Sequence, residues 1–222
     1  MDFVSIKEAS NIVTIAMDDG KANAMGFQML SELNDALDAT EKSSKATILT
    51  GRQGLLSGGF DLKVIREGSE EEVTRLVSRG VQTLMRLFGY SRPLIIVVPG
   101  HAVALGGFLT LVGDYRIGVS GDFKIGLNET SIGLPLPMFG VELVRSRLNS
   151  RYITRAAISA ELFRPNEAKE AGFLDQVVSE IELVACAESV AQRLSSLDLP
   201  SFAQTKYSFR QGLIDRVLSR YV

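Results

Sequence analysis

Pro99-Gly100-His101-Ala102-Val103-Ala104-Leu105-Gly106-Gly107-Phe108-Leu109-Thr110-Leu111-Val112-Gly113-Asp114 is the stretch from which the rest of the chain can be read. The apolar run before it, Leu94 to Val98, has the composition of a buried strand. Pro99-Gly100 is punctuation. Small residues and Leu105-Gly106-Gly107 follow, and the remainder is apolar and long enough for two to three helical turns. The reading is strand, tight loop, helix N-terminus. A helix N-terminus presents unpaired backbone N–H groups and the positive end of the macrodipole. Glycine at 106 and 107 lets a ligand approach the backbone. The stretch therefore suits negative charge on an oxygen, whether phosphate or oxyanion. Close packing of a helix on a sheet demands the same small residues, and this stretch alone does not separate the two.

Upstream, Phe3 to Ile6 and Ile12 to Met17 have strand character around a polar turn at Glu8 to Asn11. Asp18-Asp19-Gly20 is a turn signal. Phe27, Leu30, Leu33, Ala36 and Leu37 recur at helical spacing, which predicts a helix over about 26–39. Thr47 to Thr50 reads as a strand, Gly51 to Gly59 as a glycine-rich loop, and Glu70 to Phe88 as an amphipathic helix. Downstream, Tyr115 to Val119 and Phe123 to Ile125 read as strands, and Phe139 to Leu148 and Arg151 to Ala160 as helices. Pro165 to Ala171 is a short helix with proline in its first turn and Gly172 past its end. Gln176 to Val178 is a brief strand, and helices cover Ile181 to Leu197 and Ser201 to the end. Alternation in front and helices behind predict an α/β core with parallel strands and a helical C-terminal layer.

With 222 residues, 45% apolar and 23% charged, the composition is that of a globular protein. A net charge of −2 with no basic block argues against nucleic acid as a partner. The single cysteine, Cys186, excludes an internal disulfide and a cysteine metal cluster. Met1-Asp2-Phe3-Val4 lacks the basic start of a signal peptide. The run from Pro93 to Gly113 has the length of a membrane span, but Pro99-Gly100 and the glycine pair make it two buried elements joined by a turn. A cytoplasmic protein without a membrane partner is the expectation. No histidine or cysteine spacing suggests a metal.

Four segments, in order and spacing, resemble the crotonase (enoyl-CoA hydratase/isomerase) superfamily. They are Lys21-Ala22-Asn23-Ala24-Met25, Ser57-Gly58-Gly59-Phe60-Asp61-Leu62, Pro99-Gly100 to Ile117, and Phe123-Lys124-Ile125-Gly126-Leu127-Asn128-Glu129-Thr130. Pro165-Asn166-Glu167-Ala168 with Gly172-Phe173-Leu174-Asp175 is similar to the next family signature. The resemblance covers nearly the whole chain. It implies an α/β fold with a crotonase-type ββα spiral core over 1–197. Relatives commonly continue for some tens of residues, so 198–222 is expected to be a shortened C-terminal helical region. It also implies homotrimers or hexamers, an acyl-CoA thioester as substrate, no cofactor beyond the coenzyme A of that substrate, and a place in fatty acid β-oxidation.

The resemblance further implies an oxyanion hole of two backbone N–H groups. The first falls on Phe60. A gapless match puts the second on Leu105, where relatives usually have glycine, and sliding by one residue puts it on Gly106; the gapless match is preferred. Two preorganised donors stabilise the charge of a thioester enolate at roughly 2.7–4 kcal/mol each. Contacts to CoA are expected from Ala22, Asn23 and Ala24 and from Gly58, Gly59, Phe60, Asp61 and Leu62, with Gly106 at the thioester. Lys21 and Lys63 are in reach of CoA phosphates or simply solvated. Phe88, Phe108, Met138 and Phe139 line an acyl pocket or pack the core.

Glu129 is the candidate acid/base. It precedes the apolar stretch Ile132-Gly133-Leu134-Pro135, and apolar surroundings raise the proton affinity of a carboxylate. A surface glutamate in a turn is the alternative. Family hydratases use two glutamates to split a water, and the match puts Phe108 at the first of these positions. Phenylalanine cannot accept a hydrogen bond from a catalytic water. One glutamate with an apolar residue in that place is similar to the Δ3,Δ2-enoyl-CoA isomerase branch. The expected activity is a shift of a 3-enoyl-CoA double bond to the 2-trans position. An enoyl-CoA hydratase and a non-catalytic acyl-CoA-binding or assembly subunit are the alternatives. His101 with Asp114 and a serine offers a triad, but no serine stands near the Leu105-Gly106-Gly107 turn.

Overall fold

A computed structural model describes residues 2–42 and 45–221. The last residue of the expected C-terminal segment, Val222, lies outside the described residues. In chain order the elements are β1 (Val4–Ala9), β2 (Ile12–Met17), α1 (Phe27–Thr40), β3 (Ala46–Thr50), β4 (Gly54–Ser57), α2 (Leu62–Glu67), α3 (Glu70–Phe88), β5 (Leu94–Val98), β6 (Gly100–Val103) and α4 (Leu105–Val112). There follow β7 (Tyr115–Val119), β8 (Ile125–Gly126), α5 (Met138–Arg147), β9 (Leu162–Phe163), α6 (Pro165–Ala171), β10 (Gln176–Val178), α7 (Leu183–Ser195) and α8 (Leu199–Leu218).

Among the described residues a six-stranded sheet has the order β1-β2-β3-β5-β7-β10 and a four-stranded sheet the order β4-β6-β8-β9. From β2 to β10 the larger sheet is parallel, with β1 antiparallel at its edge across a two-residue turn in which Ser10 and Asn11 both have φ > 0. Parallel strands need cover on both faces, and β5 shows it. Leu94, Ile96 and Val98 enter the main core with α1, α3, α4, α5 and α8. Ile95 and Val97 point the other way, into a second cluster closed by Leu183, Ala187, Val190 and Ala191 of α7. The mixed α/β fold is as expected, but the rear helices do not form one layer, because this sheet has two apolar faces to cover.

Most long elements fall where periodicity puts them. α3 opens on a capping box in which the Glu72 N–H donates to Ser69 Oγ (3.2 Å) and the Ser69 N–H to Glu72 Oε2 (3.0 Å). α6 begins at Pro165 and ends on Gly172 with φ 98°. Four short elements escape the pattern: β4 lies inside the expected 51–59 loop, β6 follows Pro99 directly, α2 begins three residues after that loop, and β9 falls between two expected helices. The expected strand at 123–125 becomes the two-residue β8, because the Lys124 N–H goes to the His101 Nδ1 side-chain atom instead of a strand carbonyl, while the Lys124 carbonyl accepts the first ladder bond, from the Ala102 N–H. The expected helix over 151–160 is instead a 3-10 turn at Ser150–Tyr152 and a π-turn at Thr154–Ile158. There the Ser159 N–H reaches back five residues to the Thr154 carbonyl, and Ala160 at φ 53° ends the segment. The β-branched pair Ile153-Thr154 works against a regular helix there. No helix among the described residues is long and apolar enough to cross a membrane.

α8 packs on α3 and α5 and places Leu213, Ile214 and Val217 in the main core. A buried charge cluster fixes its start. Asp114, at the end of α4, pairs with Lys206 Nζ (2.7 Å) and Arg210 Nη2 (3.0 Å) and also accepts the Leu94 N–H (2.8 Å). Arg210 lies over the Phe88 ring and donates to the Phe88 carbonyl, the last of α3. Desolvation pushes the Lys206 ammonium down to about 8, and the Asp114 carboxylate is the charge that opposes this, with the Arg92 carbonyl as a further acceptor at 3.4 Å. Removing one partner of a buried pair strands the others. Asp114→Asn is expected to lower the stability by about 3–5 kcal/mol at neutral pH, read from urea unfolding.

Candidate active site

Four segments that are far apart in sequence meet at the small sheet. The first is a turn clamped by Asp19, whose carboxylate accepts the N–H groups of Lys21 (2.7 Å), Asn23 (2.8 Å) and Ala24 (3.0 Å). Asn23 is fully buried at φ 46°, and its side chain is spent. Nδ2 donates to the Met17 and Leu56 carbonyls at 2.9 and 3.1 Å, and Oδ1 accepts the Asp19 N–H at 3.0 Å. Asn23 therefore positions backbone and has no amide left for a ligand. The second segment lies alongside: the Gly58 N–H donates to the Ala22 carbonyl (2.9 Å) and the Met25 N–H to the Gly59 carbonyl (2.8 Å). Ala22, Gly58 and Leu62 are exposed there, while Ala24 and Asp61 are half-buried. Asp61 is the N-cap of α2, accepting the Lys63 N–H at 2.9 Å. The two segments expected to contact CoA are thus neighbours.

The third segment is the β6–α4 turn. Side chains do not fit where α4 begins: an added methyl at Gly106 would stand 2.1 Å from the Ser57 carbonyl oxygen, and one at Gly107 2.4 Å from that of Gly126. The helix is wedged between β4 and β8, so the glycine pair serves the close packing as well as the open terminus. Ala104 turns the chain at φ 53°, ψ −123°, a conformation costly for any residue with a Cβ. Its N–H is held by the Gly126 carbonyl at 3.1 Å. The first helical N–H to find a partner is that of Phe108, on the Ala104 carbonyl (3.1 Å); those of Leu105, Gly106 and Gly107 donate no hydrogen bond among the described residues. Neither does that of Phe60. An added methyl at Gly59 would lie 3.5 Å from the Leu105 nitrogen, so the two unpaired donors belong to touching pieces of backbone. Gly106 instead presses its α-carbon on Ser57.

The fourth segment leaves β8 as Leu127-Asn128-Glu129. Gly107 abuts Gly126 and Leu127, which brings this turn to the open end of α4. Glu129 starts a 3-10 turn over Thr130–Ile132, and its carbonyl accepts the Ile132 and Leu134 N–H groups at 3.1 and 2.9 Å. Its side chain does not hang in solvent. Oε2 is fully shielded and has no hydrogen-bond partner. Burial raises the proton affinity of the carboxyl, and the N–H groups of Glu129 and Asn128 only partly oppose this. Asn128 Oδ1 is shielded and unpartnered in the same way. Neither this orphan nor the strain at Ala104 has a sequence signal; both appear only in three dimensions.

Other candidates go elsewhere. Phe108 is buried edge-to-face against Phe139 at 5.1 Å and abuts Gly140, so α4 offers no second acid. Phe88, Phe108 and Phe139 belong to the closed core, with Phe88 on the side of α8, and Met138 is half-buried. His101 Nδ1 accepts the Lys124 N–H at 3.0 Å, and Asp114 serves Lys206 and Arg210, so the two form no triad. Lys21 and Lys63 are exposed. Among the described residues no group of three or more His, Cys, Asp or Glu side chains is arranged to hold a metal.

Comparison with known proteins bears on this geometry. The family model described as enoyl-CoA hydratase/isomerase matches residues 7–221. The chain is similar to the crystal structure of an enoyl-CoA hydratase/isomerase family protein from Pseudomonas syringae, with 42% identity and a TM-score of 0.96 over 99% of this chain and 95% of that one. It is similar to human mitochondrial delta3-delta2-enoyl-CoA isomerase, with 26% identity and a TM-score of 0.95 over 98% and 87% of the two chains. A probable enoyl-CoA hydratase of Bacillus subtilis is 25% identical over 96% of this chain and 87% of its own length.

The buried carboxyl has a measurable consequence for stability. Folded, Glu129 binds a proton more tightly than in the unfolded chain, so stability falls as pH rises from the ordinary glutamate range through the raised value. Glu129→Gln removes this loss. At pH 7 the variant is expected to be more stable than the natural protein by about 1–2 kcal/mol, the cost of an unsatisfied buried acceptor. The difference closes below about pH 4, where the carboxyl is neutral in both states. Urea unfolding at the two pH values checks it.

Proposed function

The chain belongs to the enoyl-CoA hydratase/isomerase family of enzymes, and on that premise we propose that it moves the double bond of a 3-enoyl-CoA to the 2-trans position. The observation that carries this reading is Phe108. In the family match it falls where hydratases carry a second acid, and it is buried against Phe139, so among the described residues Glu129 is the shielded, unpartnered carboxyl near the open end of α4. The human relative whose name states this isomerisation has the same fold.

In this reading CoA lies along Ala22 to Ala24 and Gly58 to Leu62, held chiefly by backbone atoms. The thioester oxygen accepts the Phe60 and Leu105 N–H groups. Glu129 takes a proton from C2. The C–H electron pair moves into the conjugated system, and charge gathers on the thioester oxygen, where the two donors and the positive end of α4 stabilise it. The same carboxyl returns the proton to C4, and the double bond is left between C2 and C3. One group moves one proton, so no cofactor is required. Water is unwelcome because hydration competes, and no second carboxylate is at hand to activate it. The proposal includes a cytoplasmic homotrimer or hexamer in fatty acid β-oxidation. Exposed Ile181 and Val184 near the start of α7 and Phe209 on α8 are apolar surface for subunit contact.

Incubation with 3-hexenoyl-CoA is expected to give the absorbance of the conjugated product. Glu129→Gln should lower kcat by about 10²–10⁴-fold while CoA-ester binding persists. Tight binding without turnover by the natural protein points to a non-catalytic acyl-CoA subunit. Formation of 3-hydroxyacyl-CoA from a 2-enoyl-CoA points to a hydratase and against the weight placed on Phe108.

A further inference from the structure

We propose that Asn128 is a positioning residue for the Glu129 proton: its buried carboxamide oxygen is the acceptor that holds the carboxyl once protonated. The inference rests on the isomerase reading for its role in turnover, but not for its structural content. Among the described residues, Asn128 Oδ1 and Glu129 Oε2 are the fully shielded side-chain polar atoms without a hydrogen-bond partner. They belong to consecutive residues of one turn. Both are acceptors while Glu129 is ionised, so neither can satisfy the other. A single proton changes that. The carboxyl becomes a donor, Asn128 Oδ1 is the free acceptor on the adjacent residue, and one O–H bond satisfies both atoms.

This is the state the reaction must pass through. After the C2–H bond breaks, its proton sits on the Glu129 carboxyl and its electron pair on the substrate. A carboxyl free to rotate can lose that proton to water. One held by Asn128 keeps its O–H in place until the C4–H bond forms. The turn is otherwise fastened through its backbone and hydroxyls: Ser131 Oγ donates to the Asn128 carbonyl (2.7 Å) and Thr130 Oγ1 to the Ala157 carbonyl (3.4 Å). Among the described residues no charged group competes for the role. Arg155 is paired with Glu161 and Glu167, and Arg164 with Asp122. Lys124, before β8, is exposed. None of these charges acts on the Glu129 carboxyl.

The test is a carboxyl titration in the resting protein. With glutamate labelled at the side-chain carboxyl carbon, the Glu129 resonance is assigned by its loss in Glu129→Gln. Asn128→Leu keeps the size and removes the acceptor, and its midpoint is expected about one pH unit below that of the natural protein, a tenfold weaker hold on the proton. Asn128→Asp keeps an acceptor and adds charge, and its midpoint should rise. If Asn128→Leu fails to fold, Asn128→Ala, which also removes the acceptor, decides in its place, with the same fall in midpoint expected. A midpoint unmoved in the variant that folds overturns the proposal. So does a rise in Asn128→Leu, because the amide nitrogen would then be facing the carboxylate. With 3-hexenoyl-CoA, Asn128→Leu should lose kcat about tenfold at constant KM, and the acid limb of its pH profile should follow the resonance. A shifted resonance in a protein that does not isomerise 3-hexenoyl-CoA sinks the isomerase reading and leaves the Asn128–Glu129 coupling standing.

Discussion

The seat of α4 is the constraint on which the site depends. A helix can enter a sheet this closely only if its first turn has no side chains on the buried sides, and Gly106 and Gly107 meet that condition against Ser57 and Gly126. The fit is made by backbone on backbone, so it leaves little room for adjustment. It sets three things at once. The Leu105 N–H is left without a partner beside the Gly59-Phe60 backbone. β8 is held at the mouth of the helix and delivers Glu129 there. Ala104 is forced into a strained turn, a local cost that the surrounding contacts must sustain.

Much of this architecture was legible in the chain. Leu94 to Val98 and Glu70 to Phe88 announce themselves by composition and period, and the structure gives them those bounds. The turn into α4 was readable from glycine placement, but the reason for the glycines was not. The sequence suggests an open terminus or close packing as alternatives, and the structure needs both. What stayed hidden is either short or non-local. β4 and β6 have four residues each and no room for a period. The use of Asn23 as an internal strut depends on carbonyls of Met17 and Leu56, which no local pattern brings together. The orphan oxygen of Asn128 is an absence of contacts, which sequence cannot display at all.

The far side of the molecule shows a different use of charge. Asp114 receives two cations from α8 and one N–H from β5, so the last helix is tied to the end of α4 and the start of a central strand. Those groups are paired, and their burial fixes position. Beside the opposite end of α4 is a shielded carboxyl on which no cation among the described residues acts. One helix thus runs from a carboxylate paired with two cations at its C-terminus to an acid without such a partner beside its N-terminus. The contrast separates a structural ion network from an acid that burial leaves unpaired.

Leaving an acid unpaired is destabilising, and the choice makes physical sense only if the proton is the point. A cation beside Glu129 would lower its proton affinity and weaken it as a base. A second carboxylate would raise that affinity further and bring water with it. An apolar residue at position 108 does neither: buried against Phe139, it supplies no acceptor to water. In the proposed reaction the donors stand on the other partner, as the unpaired main-chain N–H groups of Phe60 and Leu105, which cannot titrate. On that proposal, charge created when the carboxyl takes a proton would have one favourable place to go, the substrate oxygen, and the way back would be the return of that proton. Such a division of labour, with a neutralisable side chain on one side and fixed dipoles on the other, suits moving a proton along a substrate rather than adding a new group to it.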